Sequence, residues 1–176
     1  MLCSVPFIGW SQQKVRALEF ELGGGFSIAA KNNKSLGAGQ FFMELRNNFQ
    51  DSKFDFGIQF CVTGTINGES NNKGKYNPKL DETGTYLLPV VDYNFLRGEK
   101  ISYFVGSGIG MMQSRVNDQT YGSLCFMPRA GIECFHHLRM TLDYKWNPRG
   151  EYNYAGINIG VVFGGGLIHS IKTCLR

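Results

Sequence analysis

From Leu18 onward the chain alternates apolar and polar residues with a period of two, and helical spacing is almost absent. Leu18, Phe20, Leu22, Phe26 and Ile28 are interleaved with Glu19, Glu21, Gly23, Gly25 and Ser27. The parity then switches, with Phe41, Met43, Leu45 and Phe49 set against Gln40, Glu44 and Arg46. A third segment places Phe54, Phe56, Ile58, Phe60 and Val62 against Asp55, Gly57, Gln59 and Thr63. Five more follow, ending at Ile157, Ile159, Val161 and Phe163 against Gly156, Asn158 and Gly160. Successive side chains of a strand point to opposite faces, so each segment predicts a strand with one apolar and one polar side.

The joins alternate in length. Short turns are predicted at residues 50–53, 97–100 and 135–139, and longer polar loops at 30–35, 67–84, 115–122 and 147–153. All short turns then fall at one end and all long loops at the other, as an even-stranded meander requires. The predicted fold is all-β, an eight-stranded antiparallel up-and-down transmembrane β-barrel spanning residues 12–165.

The dyad alone leaves the inside face open, because a soluble lipocalin-like barrel around a small hydrophobic ligand shows the same alternation turned the other way. Four features favour the apolar face outward. Of the lysines, only Lys145 falls clearly within a segment, whereas a soluble barrel displays lysines on its outer wall. The polar face carries many glycines, which weaken an open strand but make room inside a narrow barrel. It also carries both charge signs: Glu19, Glu21, Glu44, Asp55, Asp92, Glu133 and Asp143 with Arg46, Arg129 and Lys145. These ten form the expected interior polar network, with carboxylates in excess. Phe49, Phe54, Phe95, Tyr103, Tyr144, Trp146 and Phe163 stand toward segment ends, as interfacial aromatic girdles do.

These segments, the alternating turns and loops, and the last strand YAGINIGVVF ending in Phe163 resemble the small eight-stranded outer-membrane β-barrel family, of the OmpX and OmpA-membrane-domain type. The resemblance covers roughly residues 15–165 and rests on pattern. It implies the outer membrane of a Gram-negative bacterium, with membrane lipid and the barrel assembly machinery as partners. In that family a terminal-strand aromatic is the assembly signal; here GGGLIHSIKTCLR follows Phe163, leaving residues 166–176 as a tail of unassigned role.

Residues 1–11, apolar from Met1 to Trp10 and then polar, read as the remnant of a secretory signal peptide. No run of roughly 18 uncharged apolar residues is present, so no transmembrane helix is predicted. The net charge of +4 is scattered rather than gathered in a stripe, which argues against a nucleic-acid partner. Five cysteines without a CxxC pair, and without histidines at ligand spacing, point to no metal site and no complete disulfide framework.

Gly106-Ser107-Gly108-Ile109-Gly110 invites a phosphate-loop reading, but its third glycine comes one residue early for a dinucleotide fingerprint and no helical pattern follows. His136 and His137 sit at a predicted turn, and no histidine falls on the predicted extracellular rim. No catalytic residue and no cofactor are assigned. Loop 67–84 supplies the candidate extracellular contacts Lys73, Lys75, Tyr76 and Lys79 for an unidentified surface ligand. The expected function is a non-enzymatic surface or structural barrel, or a very narrow pore. An outer-membrane barrel enzyme ranks below the lipocalin-like alternative.

Overall fold

The structure, a computed structural model, describes residues 16–31, 34–49, 52–70, 76–116, 119–148 and 152–164. The expected signal remnant and C-terminal tail lie outside these. Eight strands follow the eight alternating segments: β1 (Leu18–Lys31), β2 (Lys34–Asn48), β3 (Phe54–Ser70), β4 (Tyr76–Asn94), β5 (Ile101–Val116), β6 (Gln119–Cys134), β7 (Leu138–Lys145) and β8 (Asn153–Phe163). Each pairs antiparallel with its neighbour, and β1 closes on β8 from Phe20–Phe163 to Ala30–Asn153. The closed ring gives every strand a paired neighbour on both sides, as a sheet standing in hydrocarbon requires.

Alternation sorts the faces. On β7, Arg139, Thr141, Asp143 and Lys145 are buried while Leu138, Met140, Leu142 and Tyr144 are exposed. The extremes decide the orientation: Phe26 is 85% exposed and Glu44 only 1%. Apolar side chains therefore cover the outside and ionic ones line the axis, which removes the lipocalin-like alternative. Aromatic contacts cluster on the outer wall, with Phe54–Tyr93 ring centroids 5.1 Å apart and Phe49–Phe56 5.4 Å.

Two expectations need correction. The strands run well past their apolar stretches, so the long loops largely vanish into hairpin ladders. β1 and β2 stay paired to Lys31–Lys34, and β3 and β4 to Ser70–Tyr76, with an irregularity between Gly64 and Ile66. Lys31, Lys34 and Lys79 thus stand on strands. Dyad hydrophobicity is imposed where one face meets lipid, and paired backbone beyond the bilayer carries no such signature. The lumen is also only partly polar. Phe42, Tyr86, Leu88, Val90, Met112 and Met127 form a buried cluster with Cys61 and Cys125 against the β2–β6 wall.

The β6–β7 turn places two bulky residues in left-handed backbone, Phe135 at φ 55° and His136 at φ 62°, closed by His137 N donating to Cys134 O at 3.2 Å. This is the geometry that favours Asn-Gly. Replacing the pair with Phe135→Asn and His136→Gly is expected to raise stability by about 1 kcal/mol. Urea unfolding of the micelle-bound protein measures it, and an unchanged or lowered midpoint would show that the turn stores no strain.

Candidate functional site: the lumen charge network

Arg129, on the inward face of β6, reaches across the lumen to two carboxylates from different strands. Its Nη1 and Nη2 donate to Glu44 at 2.5 and 2.9 Å, while Nε and Nη2 donate to Asp92 at 2.8 and 2.7 Å. Glu44 comes from β2 and Asp92 from β4, so one guanidinium fork ties three strands together. Gln59 donates to the same Glu44 at 3.0 Å. Gly106 on β5 makes this packing possible, because a Cβ there would collide with the Asp92 carboxylate and the Val91 carbonyl.

Arg46 is the second hub. It contacts Glu19 at 3.1 Å, Glu21 at 3.7 Å, Glu44 at 3.8 Å, Asp92 at 4.0 Å and Glu133 at 3.9 Å. Arg139 joins this cluster through Asp92 and Glu21, with its guanidinium 3.5 Å from the centre of the Phe104 ring. Gly131 leaves the space that Phe104 occupies. A second polar group lies against the β7, β8 and β2 wall. Lys145 donates to Gln40 at 2.8 Å and to both Asp143 oxygens at 3.0 Å. Asn158 donates to Asp143 at 2.6 Å, and Gln40 donates to Asn158, closing a ring of four side chains.

At the end where β1 begins and β8 finishes, Asp55 pairs with Arg97 and accepts from Asn94. Arg97 also donates to the carbonyls of Phe49 at 2.5 Å and Phe54 at 3.4 Å, so the β4–β5 turn is pinned to the β2–β3 turn. A cavity of about 20 Å³ beside them is lined by Glu19, Asn48, Asp55, Glu133 and His136, among others. That is room for about one water. Among the described residues no group of three or more His, Cys, Asp or Glu side chains could hold a metal ion.

All ten sequence-assigned network residues face the lumen, nine of them buried and Glu133 partly so. They form two separate clusters and an Asp55 outpost rather than one network. Sequence reasoning missed Arg97 and Arg139, which narrow the imbalance to seven carboxylates against five cations. Arg139 falls at the end of the predicted 135–139 turn, although the parity of Thr141, Asp143 and Lys145 extends directly to it. Arg97 reaches the lumen from a turn, which no strand periodicity reports. Of the surface candidates, Lys73 and Lys75 lie outside the described residues, while Tyr76 and Lys79 fall on the β4 ladder opposite Ser70 and Asn67.

Removing one partner of a buried pair leaves the other charge stranded, at about 3–5 kcal/mol. Arg129→Met strands Glu44 and Asp92 together, so it is expected to lower the unfolding free energy by at least that much. Gln59→Leu, which removes a neutral donor, is expected to lower it by about 1–2 kcal/mol. Equal losses in the two variants, read from denaturant midpoints, would show that the fork is not the main polar anchor.

No family model and no curated protein matches the sequence. Solved structures do resemble the fold. Neisserial surface protein A aligns with a TM-score of 0.65 at 9% identity, covering 85% of this chain and 98% of that one. Ail, the attachment invasion locus protein of Yersinia pestis, solved with the heparin analogue sucrose octasulfate, gives 0.52 at 12% identity over 86% and 99%. The N-terminal β-barrel domain of Pseudomonas aeruginosa OprF gives 0.50 at 13% over 87% and 100%. At such identities the likeness is one of fold. In its strand number, closure and face sorting, the chain has the fold of the small eight-stranded outer-membrane β-barrels.

Proposed function

We propose that the protein is a non-enzymatic barrel of the Gram-negative outer membrane, acting as a wall element that presents hairpins at the surface rather than as a pore. The observation that carries this reading is the filled lumen. The Arg129 fork, the Arg46 cluster and the apolar cluster around Tyr86 and Leu88 occupy the axis of an eight-stranded ring that is narrow to begin with. The four connections bearing the longer hairpins, β1–β2, β3–β4, β5–β6 and β7–β8, lie at the end opposite the start of β1 and the finish of β8 and would face outward. Outer-membrane lipid holds the apolar wall, and the barrel assembly machinery inserts it.

The protein should fractionate with outer membranes and migrate differently on a gel before and after boiling. In planar bilayers it should show no sustained conductance steps. Free solubility without a gel shift would overturn the membrane reading, and steady porin-sized steps would overturn the filled lumen.

The β3–β4 hairpin is the proposed contact with a surface partner. Segment 67–84 is formally neutral, but Lys73, Lys75 and Lys79 gather its positive charges around Tyr76 while Glu69, Asp81 and Glu82 stand outside them, and this local cationic stretch suits an anionic polymer. Charge reversal with K73E, K75E and K79E together is expected to abolish retention on a sulfated-polysaccharide column. Unchanged retention, or none in the parent protein, would remove this role from the hairpin.

A further inference from the structure

Pro89 and Pro128 each stand inside a strand, on the lipid-facing side. In a closed barrel that is where proline is least expected, because it has no N–H for the ladder. The ladder gaps fall at these two residues. Between β4 and β5, pairing reaches Leu87–Met111 and resumes at Val90–Gly108. Between β6 and β7, it stops at Arg129–Asp143, with one further bridge at Phe126–Trp146.

The hydrogen bonds identify the groups affected. Phe95 N donates to Tyr103 O at 2.9 Å, and hydrogen-bonded pairs recur at every second residue of an antiparallel ladder. Pro89 therefore stands where an N–H should meet the Ile109 carbonyl. Phe126 and Trp146 exchange both bonds, at 3.1 and 2.8 Å, which sets Pro128 against the Tyr144 carbonyl in the same way. Neither carbonyl receives its ladder donor, in a wall whose outer side is hydrocarbon.

Both gaps border the same unit. β5 and β6 pair without a break from Ile101–Cys134 to Val116–Gln119, and each edge of that hairpin carries one proline gap. From inside, β5 contributes Gly106, Gly108 and Gly110 at mid-wall and so no polar grip there. β6 contributes Arg129, held by Glu44 and Asp92, and Glu133, 3.9 Å from both Arg46 and Arg139. We propose that the β5–β6 hairpin is a hinged panel of the barrel wall, able to part from β4 and β7 at the two proline positions and latched shut by Arg129. Its opening would join the lumen to the bilayer sideways, where the filled axis gives no passage end to end.

Residue-resolved amide exchange of the full chain in lipid nanodiscs tests the panel. Amides bridging β4–β5 and β6–β7 should exchange together, about two- to tenfold faster than those bridging β1–β2 and β2–β3, the change that one missing hydrogen bond carries. Pro89→Val or Pro128→Val restores an N–H and should slow both seams. Arg129→Met should speed both. Uniform exchange around the barrel, or a proline variant that slows its own seam alone, would overturn the panel. If Arg129→Met does not fold, the proline variants decide by themselves.

Discussion

A peptide group in hydrocarbon has no water to turn to, and the structure follows from satisfying that condition with strands alone. One sheet closed on itself gives every strand two neighbours, and an even number of strands brings β1 antiparallel to β8 with the simplest connections. Closure in turn fixes the two faces. Whatever points outward must suit lipid, and whatever points inward must fit a space in which eight rows of side chains converge.

The interior answers that crowding by pairing charges around missing side chains. Gly106 admits the Asp92 carboxylate and Gly131 admits Phe104, against which Arg139 lies. Arg129 then joins β2, β4 and β6 through a single guanidinium. The burial of Glu44 and Asp92 makes this fork sensitive, since an ion pair taken from water is weak support when intact and a large penalty when broken. Apolar packing around Tyr86 and Leu88 occupies another part of the lumen, so two kinds of chemistry share the interior.

Strand number, order and face assignment were legible because lipid imposes a period of two on every segment it touches. The GSGIG stretch shows how far this goes: its glycines lie on the inward side of β5, where they make room rather than cradle a phosphate. Strand length was not legible, because hairpins such as β3–β4 continue pairing where the apolar alternation has stopped. Arg97 escaped notice because its reach from a turn leaves no periodic trace. The inward apolar residues were also obscure, since Phe42 and Leu88 break no rule of alternation by being greasy on both sides of the wall. Pro89 and Pro128 break a rule outright, and it is the strand order that sets both at the edges of one hairpin.

Everything rests on which side of the wall the greasy residues occupy. Nitroxide labels placed singly along β7 from Leu138 to Lys145, in a background without the native cysteines and reconstituted in bilayers, read this directly through their collisions with oxygen and with a water-soluble nickel chelate. Oxygen access should peak at residues 138, 140, 142 and 144 and fall at 139, 141, 143 and 145. An alternation of the opposite phase, or none at all, would contradict the account.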